Sequence, residues 1–235
     1  MRRRKGSKKI VTESATGLFS QPEDPLSDPL FFFDNSFGKR PLAGIDEVGR
    51  GPLAGPIVAC AVILDPLKEY PGVDDSKKLS HEERLELSHL IKETALAWTL
   101  AFKSPKEVDQ LNPLQATLKA MAEAYQQLEL KPQVVLIDGT VRPPIDAQVV
   151  PIVKGDSKSL SIAAASILAK VARDTHMLEE HKRYPQYGFD RHKGYGTKEH
   201  LLALAHYGPS PIHRLTYRSV LPPSPRPRPF GGGLF

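Results

Sequence analysis

Apolar residues show no sustained period until about residue 42, where they begin to arrive in short runs. "LAGID" and "IVACAVIL" are apolar and strand-like, and "ALAWTLAF" is a third stretch of the same kind. Ser80 and Glu83 form a capping box that opens a helix from about His81. Asn112 and Pro113 supply the N-cap and first-turn proline of another helix. The spacing puts Leu114, Leu118, Met121, Ala122, Tyr125 and Leu128 on its apolar face. "VVLID" predicts a short buried strand ending on Asp138, and "AQVVPIVKGD" a further strand ending near Asp156. "SLSIAAASILAKVARDTHMLEEHKRY" reads as one long helix, rich in Ala and Ser in its first half, where small side chains permit close packing on a sheet. A last helix, "KEHLLALAHY", begins after Thr197 and stops at Gly208-Pro209. Three strands followed by alternating helices and strands predict an α/β fold with a mixed sheet flanked by helices.

The two ends of the chain differ from this middle. Residues 1–40 read as a disordered leader, basic at first and then proline-rich in "QPEDPLSDPL", with "LFFF" able to dock on the surface. Residues 221–235 read as a flexible tail of Pro, Arg and Gly. Charge is segregated in the same way. The net charge of +5 comprises +6 in residues 1–9, +7 in residues 181–235 and therefore −8 in residues 10–180. An acidic middle beside a basic C-terminal quarter suits a metal or acid site next to a polyanion-binding face, although two solvated tails would look the same. No apolar run approaches the roughly 18 residues a membrane span needs. The single cysteine, Cys60, lies in an apolar run and excludes an internal disulfide. A cytoplasmic monomer without membrane attachment is the expectation.

Four carboxylates disturb this ordinary picture. Asp46 and Glu47 close an apolar strand, Asp138 closes another, and Asp156 stands near the end of a third. In open α/β sheets, sites form at strand ends. Neighbouring strand residues point to opposite faces, so Asp46 and Glu47 reach one site only if the strand ends or bulges at Glu47, which the glycines from Gly49 onward permit. Hard divalent cations take oxygen ligands, and about four carboxylates match a two-metal phosphoryl-transfer site. Asp138 in "IDGT" and Asp156 in "KGDS" also fit plain turns. Turn chemistry does not explain the adjacent pair.

"GIDEVGRGPLAGPIVACAVIL", "DDSKKLS", "VVLIDG", "KGDS", "SIAAASILAKVARD", "YPQYGFDRHKGYGTKEH" and "IHRLTYRSV" resemble, in order, the signature blocks of bacterial ribonuclease HII over about residues 42–220. The resemblance implies a ribonuclease H-like catalytic domain over 41–180 and a C-terminal helical substrate-binding extension over 181–220. It implies a metal-dependent endonuclease, using Mg²⁺ or Mn²⁺, that hydrolyses the RNA strand of RNA–DNA hybrids. It also implies cleavage 5′ of single ribonucleotides in duplex DNA, leaving a 3′-hydroxyl and a 5′-phosphate. By motif, Asp46, Glu47, Asp138 and Asp156 become the catalytic metal ligands, and Asp174 of "ARD" a supporting residue. Gly49, Arg50 and Gly51 would lie in the minor groove at the ribose 2′-hydroxyl, where RNA differs from DNA. Tyr195 would stack on the sugar at the junction. Lys77 and Lys78, before the capped helix, suit a phosphate. Arg191, His192, Lys193 and Lys198 would track the nucleic-acid backbone. Two rival readings are another nuclease of the same fold and a non-catalytic RNA-binding protein. The first is disfavoured by Gly49–Arg50–Gly51 with Tyr195, the second by the carboxylates.

Overall fold

The computed structural model describes residues 28–221, so the expectations for residues 1–27 and 222–235 lie outside the described residues. The apolar runs form one five-stranded sheet in the order β3-β2-β1-β4-β5. Its strands are β1 (Leu42–Val48), β2 (Ile57–Ile63), β3 (Ala97–Lys103), β4 (Val134–Asp138) and β5 (Gln148–Ile152). β1, β2 and β3 pair antiparallel, whereas β4 pairs parallel with both β1 and β5. The sheet is therefore mixed, and the parallel pair brings the C-terminal ends of β1 and β4 side by side.

Both faces are covered. On one, Ala43, Ile45, Val135 and Ile137 pack against Ala120, Met121 and Ala124 of helix α4 (Pro113–Gln127). On the other, Val58, Cys60 and Val62 meet Ala164, Ile167 and Leu168 of α5 (Leu160–Arg183), with Ile91 of α2 (His81–Thr94) beside them. Burying each such Val, Ile or Leu contributes about 1.5–3 kcal/mol. Helix α5 lies very close to β1: a Cβ on Gly44 would stand 2.1 Å from the backbone carbon of Ser161. The small residues of "SIAAAS" make that approach possible. Capping follows the sequence, with the Ser80–Glu83 box opening α2, Ser159 capping α5, and Thr197 capping α7 (Lys198–Tyr207).

Several local expectations are corrected. β1 does not bulge at Glu47; its register with β2 runs unbroken through Val48. β5 stops at Ile152, and Asp156 sits on a single 3₁₀ turn, Gly155–Ser157. On α4, Met121, Ala122, Tyr125 and Leu128 are buried as expected, but Leu114 is exposed and the buried face takes in Ala116, Ala120 and Ala124, whose small side chains bring the helix close to the sheet. A short helix, α3 (Pro105–Leu111), has its own Ser104–Glu107 capping box, a readable signal that the hydrophobic pattern concealed. The end of the leader is also ordered: α1 (Pro29–Asn35) carries a buried Asp34 that accepts hydrogen bonds from Ser159 Oγ at 2.6 Å and Ser161 N at 2.8 Å. Beyond the sheet, α5 continues to Met177, which joins Ala54, Tyr187, Phe189 and Leu204 in a satellite core with α6 (Phe189–His192) and α7.

Candidate active site

The four carboxylates meet where β1 and β4 end. The parallel register pairs Ile45 with Ile137, and one further step sets Asp46 beside Asp138 on the α5 face. Asp46 is buried opposite Cys60, and Glu47 follows it on the other face. β4 has ended by then, so no strand separates Glu47 from Asp138 on that side. Asp156 reaches the same place from the 3₁₀ turn, held there by Gly155, whose N–H donates to Asp138 Oδ1 at 2.7 Å. Space at Gly155 is tight: a Cβ would lie 2.6 Å from Ile162 Cδ1, which would have to shift, and 3.4 Å from Asp138.

Burial and mutual repulsion define the electrostatics. Asp46 is raised well above the usual carboxylate range by burial, then by the neighbouring charges of Glu47 and Asp138. Burial lifts Glu47 to about 7, against the pull of Arg50, whose guanidinium stands 3.5 Å away. Asp138 is raised by burial, with the Gly155 N–H opposing and Asp156 adding to it. Lys77 Nζ lies 2.5 Å from Asp156 Oδ2, and this hydrogen bond raises the lysine pKa. Four acids thus face two cations, and several carboxylate oxygens turn to local partners. Among the described residues, no three acidic, His or Cys side chains are set as ready ligands of one ion. The donor set itself suits a hard divalent cation: oxygens only, with burial and mutual repulsion raising the pKa of Asp46, Glu47 and Asp138.

Next to the acids, residues 49–56 fold into a loop shaped by two buried arginines. Gly49 has φ +98°, and a Cβ there would strike Arg173 Nε at 2.4 Å. Arg214 donates to the carbonyls of Gly49 (2.6 Å), Arg50 (3.0 Å) and Gly55 (2.7 Å). The loop is also stitched to the chain beyond α6: Leu53 N–H donates to Gly194 O at 2.8 Å, and Arg214 N–H to Leu53 O at 2.9 Å. As a result Tyr195, 43 % exposed, lies beside Gly51, whose absent Cβ would be 3.9 Å from Tyr195 Cε1. The loop next to the carboxylates thus sets an open glycine beside an exposed aromatic ring.

The ribonuclease HII family model matches residues 43–220, the span that holds every one of these features. The chain belongs to the ribonuclease HII family. The ribonuclease HII of Caldanaerobacter subterraneus subsp. tengcongensis is 53 % identical over 209 residues, covering 88 % of this chain and 87 % of that protein. That of Geobacter metallireducens is 54 % identical over 183 residues, covering 78 % and 86 %. Among solved structures, ribonuclease H2 from Pyrococcus horikoshii superposes with a TM-score of 0.67 at 28 % identity, covering 76 % of this chain and 94 % of that one. The chain is accordingly a hydrolase, an endoribonuclease of the ribonuclease H type, from a metal-dependent family acting on nucleic acid.

Within this ribonuclease HII frame, the other candidate residues lie in different situations. Lys77 is at the carboxylates, but Lys78 turns away to Asp74 at 2.9 Å. At the start of α2 the capping box takes up the Ser80 N–H, which donates to Glu83 at 2.7 Å, and the Glu83 N–H, which donates to Ser80 Oγ at 3.2 Å. Arg191 is exposed and paired with Glu199 and Asp190. The Lys193 ammonium folds onto the Asp190 carbonyl, while Lys198 is exposed. His192 is buried rather than tracking a ligand, and its ring bonds Tyr187 O and Gly194 N–H. It stacks on His200, which contacts Tyr195 O through Nδ1 at 2.9 Å and His213 through Nε2 at 2.9 Å. Burial lowers all three histidines, His213 to about 4, so the cluster is neutral at physiological pH. Asp174 pairs with Lys170 at 2.8 Å, not with Arg173. Sequence reasoning missed Arg173, Arg214, His200 and His213; only their place inside the quoted blocks could have drawn attention to them.

Proposed function

We propose that this chain hydrolyses the RNA strand of RNA–DNA hybrids and cuts 5′ of a single ribonucleotide in duplex DNA, leaving a 3′-hydroxyl and a 5′-phosphate. The observation that carries the reading is the meeting of Asp46, Glu47, Asp138 and Asp156 at the ends of β1 and β4, with three of them held above the normal carboxylate range. Such crowding is costly unless cations face it, and Mg²⁺ or Mn²⁺ held by these four side chains would answer it. Bound there, the ions would supply charge stabilisation for the phosphate and a more acidic water. Water oxygen forms the new bond to phosphorus, the bond to O3′ breaks, and O3′ takes up a proton.

The adjoining loop supports the choice of substrate. Gly51 leaves backbone open toward a groove, and Arg50, half-exposed, can meet a phosphate. Tyr195 offers a ring face beside Gly51 for stacking on the junction sugar. Lys77, exposed along most of its side chain, can exchange its Asp156 contact for a phosphate, and Lys78, Arg191 and Lys193 stand as backbone contacts farther out.

The test is a labelled DNA duplex with one ribonucleotide, incubated with Mg²⁺, Mn²⁺ or chelator. A metal-dependent cut 5′ of the ribonucleotide, absent from all-DNA duplex, is expected. Cutting of the all-DNA control would indicate another nuclease activity of this fold.

A further inference from the structure

Arg173 is fully buried within α5, and among the described residues its guanidinium makes no ion pair. A buried charge without a carboxylate is expensive, so its contacts need a reason. All three nitrogens donate to backbone carbonyls: Nε to Pro56 at 3.0 Å, a terminal nitrogen to Ala54 at 3.1 Å, and the other to Lys193 at 3.0 Å. Two of these carbonyls belong to the loop that carries Gly49–Arg50–Gly51. The third belongs to the loop that carries Tyr195. The guanidinium also lies 5.9 Å from the centre of the Tyr195 ring. Between the loops the fit is tight, since a Cβ on Gly194, which has φ +88°, would stand 2.5 Å from Ala54 O.

We propose that Arg173 is a positioning residue for substrate choice: its planar fork fixes the separation between Tyr195 and Gly49–Arg50–Gly51, and that separation sets the preference for a lone ribonucleotide over a continuous RNA strand. The proposal rests on the functional reading above. A single ribonucleotide offers one productive register, in which the 2′-hydroxyl and the next sugar must be met together. A long hybrid offers many registers, so a loosened pair of loops still finds a cleavable phosphate. Lysine keeps the charge but is a point donor on a flexible stem, unable to hold three carbonyls in one plane.

The experiment compares full-length wild type, Arg173→Lys, Arg173→Met and Gly194→Ala. The last leaves the arginine side chain in place but forces the loops apart at Ala54 O, one of its acceptors, and carries the test of the loop separation if the Arg173 variants do not fold. For each, kcat and KM are measured on a duplex with one ribonucleotide and on a long hybrid, alongside hydrogen exchange at Leu53, Gly55 and Tyr195. All three variants are expected to lose the single-ribonucleotide preference by about 10–100-fold, while turnover on the long hybrid changes much less. Exchange in the two loops is expected to rise together. Restoration of the preference by lysine, or loosened loops with the preference intact, would overturn the proposal. A wild type without any preference would also overturn the proposal, whereas a wild type that cleaves neither substrate would remove the functional reading, and both show themselves before any variant is made.

Discussion

Asp46 is buried beneath α5 with two other carboxylates acting on it, so its charge is the least comfortable at the site. Replacement by asparagine removes that charge while keeping the shape. Asp46→Asn and Asp138→Asn are each expected to lower turnover by at least about 100-fold while retaining hybrid binding. In chelator at alkaline pH the same Asp46→Asn protein should unfold at higher temperature, gaining about 1–3 kcal/mol, since a site built for function is locally strained. Glu47 gives the corresponding pH dependence. Its folded pKa of about 7 lies above its unfolded value, so the native state binds more protons through that window. Its contribution to stability is therefore full below the unfolded pKa and is lost as pH rises through about 7. Thermal melts in chelator should show stability falling over this window, and Glu47→Gln should flatten the fall. Activity should run the opposite way, because a protonated carboxylate does not hold a cation.

At the level of elements, two glycines separate packing from recognition. Gly44 lets β1 and α5 approach until a Cβ would overlap the Ser161 backbone, whereas Gly51 has nothing closer than Tyr195 Cε1 at 3.9 Å. Gly44→Ala is expected to cost about 3 kcal/mol or more, because a helix backbone must move. Gly51→Ala should leave the melting temperature nearly unchanged and raise KM for substrate. Equal effects of both on stability would show that the 49–56 loop serves only the fold. Tyr195→Ala, at an exposed ring, should change stability by less than about 0.5 kcal/mol and weaken cleavage at single-ribonucleotide junctions. Unchanged junction cleavage would count against stacking.

Across the whole molecule, α5 joins the two halves: its first turns pack on β1 and receive Asp34 of α1, and Arg173 and Met177 hold the extension farther along. Asp109 of α3 adds a second tie, accepting from Leu215 N–H at 2.8 Å and Thr216 N–H at 3.1 Å. The basic C-terminal quarter is less basic at its surface than its composition suggests. Arg214 is buried, and Lys182, Arg183 and Arg191 pair with Glu179, Glu180 and Glu199. Among the described residues, no helix is long and apolar enough to cross a membrane. Since cations at the acids would oppose their repulsion, Mg²⁺ or Mn²⁺ at about 100 times Kd should stabilise the native state by about 2.7 kcal/mol. That gain should vanish in Asp46→Asn and Asp138→Asn; a similar gain in the variants would place metal binding elsewhere.

Read alone, the sequence determined the order of the five strands and of the helices α2, α4, α5 and α7, the caps of α2, α4 and α7, and the four acids at or near strand ends. These are local matters: apolar period, N-cap chemistry and glycine placement act within a few residues, and they survive in a linear reading. It also offered Gly49–Arg50–Gly51 and Tyr195 as candidates, without showing that Gly51 and the ring stand side by side. Tertiary structure decided that Asp46 and Asp138 share a face through parallel pairing, that Lys77 turns to Asp156 while Lys78 turns away, and that Gly49 answers to Arg173 whereas Gly51 is free. It alone revealed the two buried arginines, since Arg173 bonds a carbonyl 117 residues away and Arg214 one 165 residues away. A basic residue in a polar stretch has the same local pattern whether it meets water or a distant backbone; only the folded chain brings those carbonyls to it.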